Sequence, residues 1–293
     1  MSHSSSSFVS GELVGGLGNQ MFILITAMAT AIRHNAPYIF RKIGSSSSRF
    51  NSRSTYWSTL FRNVPTVAEF TQTVIDVHQP RFEYDPIVLP QTVAEIYLLK
   101  GYRQSYRFFE DEFPQVAQIL DIETMREEVR LKTQPIDNTI SVHFRLGDYV
   151  HLQHTHPLMP VAYYETAINR ILGADSSVTN VAYFFEVADI AMVNHVYINY
   201  LTEKFPQLRF IRGSYDEIDD WEQVLAMSLC RHNVIGNSSF SWWSAYIGQT
   251  LDTDTGIKRI VCYPSLWFTN ELRHRTYDMC PPNWTRIEVS LDM

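Results

Sequence analysis

Apolar residues cluster in short, irregular runs through the first half of the chain and alternate more regularly through the second. Residues 8–14 mix β-branched, aromatic and glycine residues, the composition of a short strand. Gly15-Gly16-Leu17-Gly18-Asn19-Gln20 follows, and residues 21–34 are then apolar at nearly every position, which predicts a buried helix. Strand, glycine-rich turn and helix form the local plan of a nucleotide-type βα unit. The serine run 45–48 reads as a flexible loop, 94–100 as a strand, 115–131 as one or two helices, and 133–138, with Pro135, as a linker.

Beyond the linker, strands are predicted at 139–145, 181–186, 208–211, 233–235 and 259–262. Between them lie a helix opened by Pro160 and reaching Leu172, one over 189–204, one capped by Asp219 or Asp220 and reaching Cys230, and one over 240–249. Apolar strands that alternate with helices predict a parallel, doubly wound sheet.

At 293 residues the chain is long enough for two domains, each with its own core. The composition, 45% hydrophobic and 19% charged, is that of a globular protein and excludes disorder as the general state. A net charge of −7 argues against nucleic acid as a partner, since such binding needs matched positive charge. The charge is uneven: residues 13–68 hold no Asp or Glu but include Arg33, Arg41, Lys42, Arg49, Arg53 and Arg62.

Three cysteines, 230, 262 and 280, form no CxxC pair, and Cys230 and Cys262 lie in apolar surroundings that suit core thiols. The serine-rich start has no apolar signal-peptide region, and the longest apolar stretch, 21–32, is too short to span a bilayer. A soluble protein of the cytoplasm is therefore expected, with the sequons at Asn237 and Asn283 incidental.

Three segments carry candidate chemistry. The glycine turn at 15–20 lets a ligand approach the backbone in front of a helix N-terminus, although it matches neither the G-x-G-x-x-G nor the P-loop pattern, and it serves equally as a tight packing turn. In Ser141-Val142-His143-Phe144-Arg145-Leu146-Gly147-Asp148-Tyr149, His143 and Arg145 share one face at the C-terminal end of a strand, where ligands of open α/β sheets gather. There Arg145 can grip a diphosphate, and Asp148 can brace it or face substrate; a structural Arg–Asp pair is the alternative. Gly236-Asn237-Ser238-Ser239-Phe240 opens a helix before Trp242 and Trp243; its serines can cap the helix or bind phosphate. Two further patterns suggest metal ligation weakly: Asp252-Thr253-Asp254, and the histidines His151, His154 and His156, which can instead provide a base or touch substrate.

These segments, with GGLGNQMF at 15–22, GYRQSYRFF at 101–109, SVHFRLGDY at 141–149, YYETAI at 163–168, MSLCRHNVIGNSSFSWW at 227–243 and YPSLWF at 263–268, resemble the α-1,2-fucosyltransferase family, glycosyltransferase family 11. The resemblance runs from about residue 13 to 268. It implies a GT-B-like α/β fold of two Rossmann-type lobes with parallel sheets facing across a cleft: 1–135, mainly on the acceptor side, and 136–293, holding GDP. It further implies inverting transfer of L-fucose from GDP-β-L-fucose to a glycan hydroxyl, O2 of galactose or a related sugar, with no essential metal; a transferase using another GDP-sugar, or a catalytically silent nucleotide- or glycan-binding module, is the alternative. By analogy Arg145, His143 and Asp148 are catalytic. Gly16, Gly18, Asn19, Arg145, Glu222, Asn237, Ser238, Ser239 and Phe240 contact donor, and Asp148, His151, His154 and His156 are candidates for the base or for acceptor contact. The chain departs from the family pattern in three places. Leu146 replaces the usual second arginine of His-x-Arg-Arg-Gly-Asp. Residues 184–189, FFEVAD, replace Phe-Ser-Asp-Asp. Gln223, beside Glu222, stands where an acidic guanosine contact is usual.

Overall fold

The computed structural model describes residues 7–47, 52–90, 95–133, 137–213, 218–252 and 258–291. They belong to two α/β units, Met1–Glu123 with Arg275–Pro281, and Thr124–His274 with Pro282–Met293. The sequence reading put the change at 135/136. The chain instead passes from one unit to the other inside a helix, and three residues of the expected linker, 134–136, lie outside the described residues.

In the first unit, β1 (Phe8–Gly11) leads into α1 (Leu17–Arg33), followed by β2 (Phe40–Arg41), β3 (Ser45–Ser47), β4 (Ser52–Ser54), β5 (Thr66–Val67), β6 (Val74–His78), β7 (Ile96–Lys100) and α2 (Phe113–Leu120). Strands β1, β7 and β6 form a parallel sheet in the order β1-β7-β6. Its partner α1 is buried along most of its length, as its nearly continuous apolar run requires. The helix begins four residues before the predicted start because Leu17, Gly18, Asn19 and Gln20 form its first turn. The serine run expected as a loop is instead a strand over Ser45–Ser47, antiparallel to β4; four identical serines carry no period-2 pattern from which to read a strand. The second helix, α3 (Ile122–Arg130), is separated from α2 by Asp121 in the left-handed conformation, φ 62°.

The second unit contains β8 (Thr139–His143), α4 (Val161–Leu172), β9 (Asn180–Phe184), α5 (Ile190–Val193), α6 (Asn199–Lys204), β10 (Arg209–Arg212), α7 (Asp220–Leu229), β11 (His232–Val234), α8 (Ser239–Leu251), β12 (Val261–Pro264) and β13 (Thr285–Ile287). Its six strands are all parallel, in the order β10-β9-β8-β11-β12-β13. By order of occurrence in this unit that is 3-2-1-4-5-6, the doubly wound nucleotide-binding order, which reverses between β8 and β11. Strand β13 was not predicted, since Thr285-Arg286-Ile287 lacks the apolar run of a buried parallel strand. The single helix expected over 189–204 is divided by a π turn at Asn194–Ile198, in which Tyr197 is buried and donates its hydroxyl hydrogen to the Met159 carbonyl at 3.0 Å.

Side chains from β8, Ile140 and Val142, and from the segment after it, Phe144 and Leu146, join the core with Tyr164 and Ile168 of α4. Trp242 and Trp243 are fully buried, and Trp242 stacks on Tyr246 at 4.8 Å. Burial also pushes the Cys230 and Cys262 thiols up to about 12, as expected of inert core cysteines. The α/β class with parallel sheets in both units is the GT-B-like plan that was expected. Among the described residues no helix is long and apolar enough to cross a membrane.

Candidate active site

Reversal of strand order forces the connections leaving β8 and β11 apart in direction, which opens a crevice at their C-terminal ends. The two segments singled out from sequence, 143–149 and 236–240, sit at those two ends. Gly236 lets them approach: a Cβ there would lie 3.1 Å from the His143 carbonyl oxygen and 3.5 Å from Arg145 Cβ. Tyr149 ties them together by donating to the Asn237 carbonyl at 3.3 Å.

Arg145 is the electrostatic centre of this edge. Its guanidinium donates to Asp148 in a very short contact and to Glu186 Oε1 at 2.5 Å, and it lies 4.7 Å from the centroid of the Tyr149 ring. Burial opposes its charge, but Tyr149, Glu186 and Asp148 outweigh burial and raise its pKa, so it remains a cation. Gly147 has φ +49°, and a Cβ on it would fall 2.6 Å from Glu186 Oε2. Its N–H donates to Asp189 Oδ2 at 2.8 Å. Asp148 therefore braces Arg145. Leu146, where the family carries a second arginine, is 1% exposed and packs in the core, so it makes no contact of the kind such an arginine would make.

His143 ends β8 with its ring 5.4 Å from that of Phe240 on the first turn of α8. Burial first, and Arg145 second, drive its pKa down to about 3, so it is a neutral imidazole, and among the described residues its Nδ1 has no hydrogen-bond partner. Ser238 is the N-cap of α8, its hydroxyl accepting from Phe240 N, and Ser239 begins the helix. The helix-capping reading of Ser238 is therefore realised, while the 13-residue helix still presents its positive end at the sheet edge. Asn237 is fully buried and donates to the carbonyls of Pro157 and Trp267, which pins three loops and makes its sequon inaccessible.

The three histidines are not a cluster. His151 and His154 are exposed, whereas His156 is half-buried with its ring 4.7 Å from that of Tyr149. Among the described residues no group of His, Cys, Asp and Glu is placed to hold a metal. Asp252 is bound by Arg126 and Arg259, and the remainder of Asp252-Thr253-Asp254 lies outside the described residues.

Glu222 was a candidate donor contact. It occupies the third position of α7, where it completes a capping box with Asp219 and accepts from Lys132 at 2.6 Å. Gln223 is also turned to the helix start, donating to the Ile218 carbonyl. In the first unit, Gly15 has φ +77° and its carbonyl accepts from Gln20 Nε2, while Gly16 is the N-cap of α1 with open space where a Cβ would be. Gly18 is buried in the first helical turn, and Asn19 accepts from Gln104 at 2.7 Å. Sequence reasoning assigned no role to Glu186, Asp189 or Tyr149. Only the parallel pairing of β8 with β9 brings Glu186 to Arg145 across 41 positions.

The family description of glycosyl transferase family 11 matches residues 91–288. Across 96% of this chain and 99% of the relative, the sequence is 27% identical to an α-1,2-colitosyltransferase of Escherichia coli. It is 32% identical to the O-antigen biosynthesis glycosyltransferase WbnK of Escherichia coli over 45% of this chain and 39% of that protein. The solved fucosyltransferase NodZ from Bradyrhizobium aligns with a TM-score of 0.49 and 11% identity, over 82% of this chain and 93% of its own. With more than half of its length matched by the family description, and the matched region spanning both ends of the strand-order reversal, the chain belongs to glycosyl transferase family 11.

Proposed function

We propose that this glycosyltransferase moves L-fucose, with inversion, from GDP-β-L-fucose to a glycan hydroxyl, O2 of a galactose or related sugar. The observation that supports it most is the joint position of Arg145 and the N-terminus of α8 at the strand-order reversal of a doubly wound sheet. A diphosphate there meets a fixed cation and a helix dipole, and both favour the charge that grows on departing GDP. His143, held neutral, adds shape and a polar nitrogen without competing for the proton. In this reading the second unit, Thr124–His274 with Pro282–Met293, holds the donor with Arg145, His143, Ser238, Ser239 and Phe240, and the first unit mainly meets the acceptor, its Gly16, Gly18 and Asn19 being further donor contacts. The acceptor oxygen attacks C1 of fucose in line with the leaving phosphate, and a protein base removes its proton. No metal takes part, so a chelator leaves the rate unchanged. A cytoplasmic location belongs to the same proposal, and cell fractionation tests it.

A second reading substitutes colitose for fucose, because the relative that covers nearly the whole chain carries colitosyltransferase in its name. Mass spectrometry of products from GDP-fucose and other GDP-sugars, each offered to a panel of β-galactosides, separates the two. Transfer from none of these donors refutes both. Arg145→Ala should lower kcat by about 10²–10³.

A further inference from the structure

Resting on that reading, we propose that His156 is the general base that accepts the proton of the acceptor hydroxyl. Four residues qualified by sequence, and their surroundings distinguish them. Asp148 is committed to Arg145 by a charge-assisted bond, and His151 and His154 are exposed to solvent. His156 alone is oriented by packing against the active edge. Its ring lies 4.7 Å from Tyr149 and 5.2 Å from Phe268, perpendicular to the latter at 88°. Tyr149 is also the ring on which Arg145 rests. The cation that meets the leaving group and the imidazole thus pack against one side chain.

Thr155 Oγ1 lies 2.9 Å from His156 Nδ1. In the proposed step Nδ1 carries the hydrogen, which this hydroxyl accepts, and Nε2 carries the lone pair that takes the proton. The hydroxyl then stands where the carboxylate that orients the base stands in acyl-transfer triads. The charged and titratable groups around His156 are Asp148, Arg145 and Tyr149 from the segment after β8, His154 from its own loop, and His274 from the chain beyond β12. Burial is the main influence and lowers its pKa. Asp148 opposes this, and Arg145, His154 and His274 add to it. With its pKa below the ordinary histidine value, the neutral imidazole, which can accept a proton, dominates at pH 7.

In the step proposed, the acceptor O–H bond breaks as its oxygen bonds to sugar C1. The proton passes to His156 Nε2, and the electron pair of the C1–O bond leaves with the β-phosphate of GDP. The imidazolium then returns its proton to solvent.

Steady-state kinetics of the full chain, wild type against His156→Gln and His156→Phe, test the assignment with GDP-fucose and a β-galactoside acceptor. Loss of a general base should lower kcat by about 10²–10⁴, with GDP affinity by calorimetry kept within about threefold, as expected for a group acting in the transition state. The phenylalanine variant preserves aromatic packing against Tyr149 and Phe268, so a merely structural histidine would leave its kcat near the wild-type value. The acid limb of the wild-type pH profile should fall below pH 6.5, the ordinary histidine value, and disappear in His156→Gln; added imidazole should restore part of the lost rate. A glutamine variant with near-normal kcat, or one that keeps the acid limb, overturns the assignment while leaving the transferase reading intact. A wild-type protein that transfers no sugar from any GDP-sugar overturns both.

Discussion

Three carboxylates, Asp148, Glu186 and Asp189, stand around one guanidinium at the edge where a diphosphate is proposed to bind. Glu186 is the one that an incoming phosphate would displace. Its side chain is 47% exposed against 30% for Asp148, and Asp189 is held by the Gly147 N–H rather than by Arg145. Changing Glu186 to Gln removes two penalties on donor binding. The first is the ion pair with Arg145, which for so exposed a partner is worth about 0.2–1 kcal/mol. The second is repulsion between carboxylate and phosphate, about 0.7 kcal/mol per unit charge at about 6 Å in a water-like dielectric. Together they predict GDP binding tighter by about 1–2 kcal/mol, or roughly five- to thirty-fold. Isothermal titration with GDP at fixed ionic strength measures this, and raising the salt should shrink the gain. Asp148→Asn supplies a contrast of opposite sign, since loss of the brace that holds Arg145 should weaken GDP. If Glu186→Gln binds GDP no more tightly than wild type while its thermal midpoint is unchanged, Glu186 is not competing with phosphate and the reasoning fails.

Other perturbations probe the same edge and the fold beneath it. Gly147→Ala should cost at least about 1–2 kcal/mol, from its left-handed φ alone, and should also weaken GDP because the new Cβ presses on Glu186; urea denaturation and GDP titration read the two effects. Leu146→Arg, which restores the family's more usual residue, should destabilise the protein by about 3–5 kcal/mol by burying an unpaired charge, and a stable variant with improved GDP affinity would contradict the core position of Leu146. Asp175 accepts from Ser177, His232 and Arg231, and these bonds, led by Ser177, hold its carboxyl below the usual range. Because the folded pKa is depressed, its contribution is full above the unfolded value near 4 and fades as pH falls through the folded one. Asp175→Asn should therefore be less stable than wild type at pH 7, and the gap in urea midpoint should narrow below about pH 4.

Strand–helix alternation in the second half made the doubly wound sheet legible, because buried parallel strands must be apolar and their crossovers must be amphipathic. The glycine turn, the Arg145 segment and the Ser238 cap were legible for the same local reason: glycine, arginine and capping residues have conformational and hydrogen-bonding needs that show at short range. Strands β3 and β13 were not, since a run of serines and Thr285-Arg286-Ile287 lack the apolar pattern that marks a buried strand. The capping role of Glu222 was not legible, because acidic side chains suit both a helix N-terminus and a ligand.

The sequence by itself determined the α/β class, the family and the position of Arg145 at a strand end. Tertiary structure alone decided that Glu186 would reach Arg145, that Leu146 would turn into the core, and that of three histidines only His156 would pack beside Tyr149. Those outcomes depend on which strands lie next to each other and on which way a loop leaves them. Such long-range pairings are set by burial of the whole sheet, and no window of neighbouring residues encodes them.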